Sequence, residues 1–219
     1  MNIVLVGPGG HAKVIIDIVQ REKKHTIVGL VDQQRPIQEE VNGVPVIGSD
    51  SDLLALSKRM KFNHGILCVY DNFLRQKIRN KVIALLPNFN FVTAIHPNAC
   101  ISSFVHVGVG TVVMGGVTIN SNCQIGEHCI LNTNSSVDHD CVMGNFSGVG
   151  PGVNLGGSVT IGALSYVGIG SAVSHNVTIG KNSVIGGLSF VSNNVGDLES
   201  GHSSPYRRVR SREPGEKYL

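Results

Sequence analysis

The sequence of 219 residues contains no tryptophan, and aromatic residues make up only 5% of it. Charged residues reach 15%, well below the roughly one quarter that is usual. No uninterrupted apolar run approaches the ~20 residues of a membrane-spanning helix, so a membrane protein is excluded. The net charge of +3 is too weak to indicate a nucleic-acid partner. Aliphatic residues are plentiful and charge is low, which also excludes a disordered chain.

The five cysteines contain no C-x-x-C pair, and no spacing of cysteine and histidine fits a zinc site. We therefore expect no metal. The first residues, MNIVLVGPGGHAK, lack the basic segment and the small-residue cleavage site of a signal peptide, and they are typical of a first strand. An odd number of cysteines without a signal peptide predicts a reducing, cytoplasmic location.

A six-residue repeat fills the second half of the chain. From Ile95 to Val191 every sixth residue is aliphatic, at seventeen positions without an insertion. A second column, four residues further on, holds only small residues from Ala99 to Val195. Glycine, which is abundant at 27 residues, often follows the aliphatic position. A period of six does not fit the 3.6-residue turn of a helix, so the repeat excludes a long helix.

One large and one small inward residue in every six predict a parallel β-solenoid, in which each hexad forms a short strand and a turn. Three hexads in each coil would give between five and six coils. We expect glycine to supply turn conformations that other residues avoid. Cys123, Cys129 and Cys141 fall in the small inward column, where they are expected to be core residues.

The pattern [LIV]-[GAED]-x-x-[STAV]-x resembles the hexapeptide repeat of the left-handed parallel β-helix acyltransferases. That resemblance implies a left-handed coil, a homotrimer with active sites between subunits, and acyl-coenzyme A bound between neighbouring prisms. Nucleotidyltransferases and carbonic anhydrase-like proteins share the repeat. We place the β-helix at residues 91–197 and a basic C-terminal tail at 198–219.

Residues 1–90 alternate strands with helices, which predicts parallel βαβ units in a Rossmann-like α/β domain. The loop after the first strand fits G-x-G-x-x-A, and Asp32 follows Ala12 by twenty residues. Ninety residues supply only half of a six-strand dinucleotide fold, so a single nucleotide or a nucleotide sugar suits the domain better than NAD. A purely structural tight turn is a further alternative.

The segment GPGGHA followed by a hexapeptide β-helix resembles the bacterial sugar acetyltransferases of the PglD/NeuD type across the whole chain. The resemblance implies that the N-terminal domain binds a nucleotide sugar, with Gly9, Gly10 and His11 in the phosphate loop and Asp32 as the acidic residue after the second strand. The predicted substrate-binding residues also include two in the stretch YDNFLRQKI, which resembles the family's GNN-x-x-R. These two are Asn72 and Arg75.

A histidine between two aspartates stands out on a repeat that carries only four fully charged residues between 95 and 195. Val137 and Cys141 point inward by the repeat, so Asp138, His139 and Asp140 face outward on a turn. A neighbouring carboxylate raises the basicity of histidine, which suits a general base. The remaining repeat histidines lack such neighbours and are interpreted as surface or interface residues. They are His96, His106, His128 and His175.

The segment NTNSSVDHDCVMG resembles the family's NTSSxxxHxCxIG, in which the histidine is the general base and the next acidic residue increases its basicity. The resemblance implies these roles for His139 and Asp140. For acetyl-CoA it implies contacts at four residues, of which Gly157 offers a backbone N–H to the acetyl carbonyl. The four are Asn132, Gly157, Ile169 and Gly187. Where the family often has a second histidine, this chain has Gly148.

The sequence thus predicts an acetyl-CoA-dependent N-acetyltransferase of a nucleotide-linked 4-amino-4,6-dideoxyhexose in surface glycan biosynthesis. The amine attacks the thioester directly, without an acyl-enzyme. One alternative is an O-acetyltransferase of a sialic-acid-like sugar, and another is a non-catalytic trimeric protein that binds sugar nucleotides. The segment from Ser203 to Arg207 weakly resembles the family's closing motif.

Overall fold

The computed structural model describes residues 1–7, 9–202, 207–211 and 213–216. The chain divides into two compact units. The first comprises Met1–Tyr70 and Leu74–Pro97, and the second comprises Asp71–Phe73 and Asn98–Leu219. Ser203 to Tyr206, which the sequence compares with a family closing motif, lie outside the described residues, as does Arg212 of the basic tail.

The first unit is a mixed, mostly parallel sheet with helices. Its strands have the order β3-β4-β2-β1-β5-β6, and every pairing is parallel except that of β3 with β4. The elements are β1 (Asn2–Val6), α1 (His11–Glu22), β2 (Thr26–Val31), β3 (Glu40–Val41), β4 (Val44–Gly48), α2 (Leu53–Met60), β5 (His64–Leu67), α3 (Asn72–Leu85), β6 (Asn90–Phe91) and β7 (Ala94–Ile95), with a single 3-10 turn at Asp50–Asp52.

Hydrophobic burial explains this sheet. Residues 3–6 of the central strand β1 are fully buried, as a strand covered on both faces must be. Helix α1 buries one apolar stripe that includes Ile15 and Val19, and its other face is polar, which is the pattern of a surface helix on a sheet. The predicted Rossmann-like α/β domain is confirmed.

The second unit is a three-sided coil of two-residue strands. Face 1 has the strand order β10-β13-β16-β19-β22-β24-β25, face 2 has β8-β11-β14-β17-β20-β23, and face 3 has β9-β12-β15-β18-β21. The strands are β8 (Cys100–Ile101), β9 (His106–Val107), β10 (Val112–Val113), β11 (Thr118–Ile119), β12 (Gln124–Ile125), β13 (Ile130–Leu131), β14 (Ser136–Val137), β15 (Val142–Met143), β16 (Gly148–Val149), β17 (Asn154–Leu155), β18 (Thr160–Ile161), β19 (Tyr166–Val167), β20 (Ala172–Val173), β21 (Thr178–Ile179), β22 (Val184–Ile185), β23 (Phe190–Val191), β24 (Glu199–His202) and β25 (Arg207–Ser211).

From β8 to β20, each strand pairs with the strand three places further along the chain. Val113 pairs with Leu131, and Leu131 pairs with Val149, which is an offset of 18 residues. Three hexads therefore form one coil, the arrangement for which the sequence predicts between five and six coils. The aliphatic column is buried, with Leu131 and Val149 both at 0% exposure. The three cysteines of the small column are buried as well, which confirms their expected place in the core.

Glycine has two roles in the repeat, and the expected one is found at the turn position in the left-handed backbone of Gly110, Gly116, Gly152 and Gly170. The left-handed backbone conformation recurs three residues after the aliphatic position, mostly at residues other than glycine, such as Asn122 and Asp140. The glycines directly after the aliphatic position have no such φ. A Cβ on Gly162 would lie 2.5 Å from the carbonyl carbon of Gly180 in the next coil. Glycine is therefore needed at these positions because successive coils approach too closely there for a Cβ.

The segment 198–219, predicted to be a tail, contains regular structure. Strand β24 pairs in parallel with β22, and β25 returns antiparallel along β24. The Nε of Arg208 lies 3.2 Å from Oε1 of Glu199, an ion pair across this hairpin. Among the described residues, no helix combines the length and the apolar character needed to cross a membrane.

Replacement of Gly162 by alanine should destabilise the second unit. The new methyl group meets backbone atoms of the next coil, and overpacking of this kind costs about 1–3 kcal/mol. Ser174 occupies the equivalent hexad position at another edge and already carries a Cβ, so Ser174→Ala is the matched control. Thermal unfolding followed by circular dichroism at one protein concentration should show a lower midpoint for Gly162→Ala only. Equal midpoints for the two variants would contradict the close-approach argument.

Candidate active site

The acidic-histidine segment lies on the turn that follows β14, at the edge between faces 2 and 3. The 18-residue register places Gly157 and His175 at the same turn position in the next two coils. An open cavity of about 360 Å³ runs along this edge, lined by Asp138, His139, Gly157, His175 and their turn neighbours. The side chain of His139 is 58% exposed, so the predicted outward orientation is confirmed.

Two aspartates fix the turn around His139. Oδ1 of Asp138 accepts hydrogen bonds from the backbone N–H of His139 at 2.8 Å and from Nδ2 of Asn120 at 2.8 Å. Asp140 has a left-handed backbone, with φ of 59°, which aspartate tolerates better than most residues. Its Oδ1 accepts a longer hydrogen bond of 3.4 Å from Nδ2 of Asn122. Both asparagines lie 18 residues before the aspartates that they contact.

The His139 ring is oriented by Asp140, because its Nδ1 lies 2.7 Å from Oδ2 of that carboxylate. This hydrogen bond to Asp140, followed by the negative charge of Asp138, raises the pKa of His139 above the usual 6.5. The same hydrogen bond lowers the pKa of the Asp140 carboxyl. A neutral ring that donates from Nδ1 to a carboxylate keeps Nε2 as its proton acceptor.

Gly157 lies directly against the imidazole. A Cβ added to Gly157 would lie 2.7 Å from Nε2 of His139, so only glycine leaves the ring in this position. Its carbonyl accepts a hydrogen bond from the N–H of Asn176, whereas its own N–H donates to none of the described residues. The edge thus combines a proton acceptor with an adjacent backbone donor.

The other residues predicted to bind acetyl-CoA lie along a second edge, between faces 1 and 2. Ile169 is 58% exposed, and a Cβ on Gly187 would lie 2.9 Å from its Cγ2. Asn132 belongs to the same edge, where its Oδ1 accepts a hydrogen bond of 2.8 Å from the N–H of Thr133. Within one chain, these residues and His139 therefore occupy different edges of the coil.

The glycine loop of the first unit leads into α1. Gly9 has a left-handed φ of 117°, and a Cβ on Gly9 or Gly10 would meet no atom within 4 Å. The backbone there is open in front of the first turn of a 12-residue helix that begins at His11. A helix N-terminus next to accessible backbone suits an anionic phosphate group.

Burial, followed by the positive charge of Arg75, lowers the pKa of His11 to about 3. Its imidazole is therefore neutral at physiological pH. The ring makes an edge contact with Tyr70, with 5.5 Å between the centroids. Asp32 is 2% exposed, and its Oδ1 accepts a hydrogen bond of 2.8 Å from the N–H of Gln34. Its Oδ2 lies 3.2 Å from Nε of Arg35.

Asn72 and Arg75 are buried, each 1% exposed, and they bind backbone carbonyls. Nδ2 of Asn72 donates to the carbonyl of Ser165 at 3.0 Å. The guanidinium of Arg75 donates to the carbonyls of Val69 and Tyr70 at 3.0 and 2.7 Å. These contacts give both residues a structural task, and a direct contact with the sugar stays a prediction.

Gly148 lies in strand β16 of face 1, away from the His139 edge, and a Cβ there would lie 3.4 Å from Oδ1 of Asn72.

The interpretation of His128 as a surface or interface residue is wrong. It is 1% exposed, and its ring stacks on Phe146 with 4.8 Å between the centroids. His128 occupies the left-handed turn position of its hexad. The hexad pattern does not indicate whether a residue at that position is buried.

Three polar residues around the triplet are not predicted as site residues by the sequence. Asn120 and Asn122 support the aspartates, and His175 lines the cavity. The spacing of 18 residues, or two times 18 for His175, is the signal that identifies them. Among the described residues, no group of three or more histidine, cysteine, aspartate or glutamate side chains is placed to hold a metal ion.

Comparison with known proteins extends this geometry. The PglD N-terminal domain family matches residues 2–82. PerB from Caulobacter crescentus, solved with CoA and GDP-perosamine, is 35% identical, with a TM-score of 0.89 over 96% of this chain and 98% of that chain. The acetyltransferase domain of PglB from Neisseria gonorrhoeae, solved with acetyl coenzyme A, is 28% identical, with a TM-score of 0.86 over 95% and 98%.

Among curated proteins, UDP-N-acetylbacillosamine N-acetyltransferase of Bacillus subtilis is 28% identical over 117 residues, which are 52% of this chain. The match spans about half of that relative, at 51% of its length.

An α/β domain joined to a three-sided β-helix with an exposed, carboxylate-bound histidine defines the class of left-handed β-helix acyltransferases. Within that class, the chain belongs to the PglD/NeuD-type family of bacterial sugar acetyltransferases. The predicted fold class and family are confirmed, and the enzyme class is that of its relatives.

Replacement of Asp140 by asparagine should lower the pKa of His139. The raised pKa depends first on the hydrogen bond to this carboxylate, and a neutral amide cannot stabilise the imidazolium in the same way. NMR titration of the Cε1–H signal of His139 should show its midpoint at lower pH in the variant. Asp17→Asn, which removes an exposed carboxylate paired with Arg21, is the control and should leave the midpoint in place. An unchanged midpoint in Asp140→Asn would refute the assigned cause.

Proposed function

We propose that this protein transfers the acetyl group of acetyl-CoA to the amino group of a nucleotide-linked amino sugar, a 4-amino-4,6-dideoxyhexose, in surface glycan biosynthesis. Relatives that span nearly the whole chain are named for this chemistry. PerB was solved with CoA and GDP-perosamine, and the PglB domain was solved with acetyl coenzyme A. The proposal places the reaction in the cytoplasm, a reducing compartment that suits five free cysteines.

The 2.7 Å hydrogen bond between His139 and Asp140 carries the proposal. It holds the ring in the tautomer whose Nε2 accepts protons, and it raises the pKa of the ring. In the proposed reaction Nε2 takes a proton from the sugar amine while the amine nitrogen bonds to the acetyl carbon. The C–S bond then breaks, and the proton passes from His139 to the departing thiolate. Both atoms and charge balance without a metal.

The backbone N–H of Gly157 is the proposed donor to the acetyl oxygen as negative charge develops on it. Gly157 suits this task because its N–H donates to no described residue and it lies against the His139 ring. A cysteine nucleophile is not required. Burial raises the pKa of Cys141 to about 11, and its Sγ already donates a hydrogen bond of 3.2 Å to the carbonyl of Gly156.

A homotrimer with active sites between subunits forms the next part of the proposal. His139 lies on one edge of the coil, whereas Asn132, Ile169 and Gly187 lie on another. An edge of one chain placed against the other edge of a second chain would complete the site. Exposed apolar side chains support such contacts, since Phe190 on face 2 is 45% exposed and Leu188 is 74% exposed.

The first unit is proposed to hold the nucleotide of the acceptor. Gly9, Gly10 and the N-terminus of α1 would receive the diphosphate, with His11 as a neutral neighbour. Asp32 at the end of β2 has the position from which an acidic residue contacts ribose in such folds. Asn72 and Arg75 are proposed to support substrate binding indirectly. Each side chain binds backbone carbonyls and so holds that backbone in place.

Replacement of His139 by alanine should reduce thiol release from acetyl-CoA by about 10²–10⁴-fold, the usual contribution of general base catalysis. The assay uses GDP-, UDP- and dTDP-linked amino sugars, and a hydroxyl acceptor of the sialic-acid type tests for O-acetylation. His106→Ala removes another exposed histidine of the repeat and should retain full activity. Equal thiol release by wild type and His139→Ala would show that the assigned base is wrong. Binding of sugar nucleotide without any thiol release in wild type would favour the non-catalytic alternative.

Mixed oligomers test whether two chains share each site. His139→Ala and Ile169→Glu change exposed residues on different edges, and each variant alone should be inactive or nearly so. After the two are unfolded and refolded together, some interfaces would join an intact His139 edge to an intact Ile169 edge, so activity should return. Mixing without refolding is the control. No recovery, or sedimentation of wild type at the monomer mass, would contradict the trimer.

A further inference from the structure

A second cavity lies in the first unit, at the carboxyl ends of the parallel strands. Its volume is about 340 Å³, and its lining includes Gln33, Gln34 and Asp50 on one side and Leu74, Ile78 and Lys81 of α3 on the other. Ligands of open parallel sheets bind outside the carboxyl ends of the strands. None of the residues so far assigned to the reaction lines this cavity.

The cavity lies in line with the glycine loop and Asp32. The N–H of Gly7 donates to the carbonyl of Val31 at 3.0 Å, and the N–H of Asp32 donates to the carbonyl of Gly48 at 3.0 Å. The ends of β1, β2 and β4 therefore follow one another, with about 4.8 Å between neighbouring strands. A nucleotide with its diphosphate at the glycine loop and its ribose at Asp32 would extend its base toward Asp50.

Asp50 is a carboxylate that is almost buried, at 8% exposure. Its Oδ2 accepts a hydrogen bond of 2.7 Å from Nε2 of Gln33 and lies 3.2 Å from Nζ of Lys81. Its Oδ1 accepts no hydrogen bond from the described residues. With Oδ2 held by Gln33 and Lys81, Oδ1 is the atom of this carboxylate that can accept a hydrogen bond from a ligand in the cavity.

The chemistry of the bases determines which one this acceptor suits. Guanine presents two adjacent donors, N1–H and the N2 amino group, along one edge. Uracil and thymine present a single N–H between two carbonyls, and those oxygens would face the negative charge of Asp50. Adenine and cytosine each place an unprotonated ring nitrogen beside their amino group. Leu74 and Ile78 supply apolar surface for the plane of the base.

We propose that this cavity holds the nucleobase of the acceptor and that Asp50 selects guanine, so that the substrate is a GDP-linked amino sugar. This inference rests on the proposed function, because it names the nucleotide of the same acceptor. Asp50 is a specificity-determining residue that contacts the base far from the reacting amine. Gln33 and Lys81 are positioning residues that orient its carboxylate.

Titration calorimetry of the full-length protein with GDP, UDP, dTDP and CDP tests the proposal. Wild type should bind GDP at least about fivefold more tightly than the other three, the smallest discrimination expected from hydrogen bonds that read a base. Asp50→Asn keeps the shape of the side chain but adds a donor, and it should abolish that preference by weakening GDP alone. Asp52→Asn removes a neighbouring exposed charge and should keep the preference. Gln33→Leu, which releases the carboxylate without removing it, should reduce the preference partially.

Two outcomes would overturn the proposal. One is a wild type that binds UDP, dTDP or CDP as tightly as GDP. The other is Asp50→Asn with an unchanged ratio of affinities. Thiol release from acetyl-CoA with each nucleotide-linked sugar separates these failures from failure of the proposed function. Turnover that requires His139 but favours another nucleotide would leave the acetyltransferase intact and refute guanine selection alone.

Discussion

The 18-residue register between coils is the constraint on which the candidate active site depends. Backbone hydrogen bonds link each coil to the next, for example from the N–H of Ser158 to the carbonyl of His139 at 2.9 Å. Residues 18 apart consequently share one edge and lie about 4.8 Å apart, the usual strand spacing. This brings Asn120 to Asp138, Asn122 to Asp140, and Gly157 to the His139 ring. A one-residue insertion in a strand of any of these coils would separate the base from its support.

The six-residue pattern predicts much of the second unit, because every hexad places one large and one small residue inward. The large column must fill the bore and the small column must fit its corners, and both are buried at positions such as Val137 and Cys141. The role of glycine could not be predicted in the same way. Whether a glycine is present for its φ or for lack of a Cβ depends on the neighbouring coil, which a single hexad does not describe. His128 fails for a related reason, since its burial comes from a stack on Phe146 one coil away.

The candidate site shows the same division between local and distant information. The pair of His139 and Asp140 is adjacent in sequence, so its chemistry could be predicted from the residues alone. Asn72 is different, because its amide reaches Ser165 over 93 residues, and no local pattern encodes that contact. A polar motif that resembles a family's binding stretch is equally consistent with a buried side chain that binds backbone carbonyls. Burial distinguishes the two, and sequence alone does not provide it.

The scarcity of charge on the β-helix has a chemical consequence. Between residues 95 and 195 the only fully charged side chains are Glu127, Asp138, Asp140 and Lys181, so two of the four surround one histidine. The pKa of His139 is therefore set by its own turn, through one hydrogen bond and one nearby charge. Desolvation acts in the opposite direction but does not outweigh these two contributions, and the exposed ring stays accessible to a substrate amine. A rigid, nearly neutral scaffold thus allows one pair of adjacent residues to determine the proton affinity of the site.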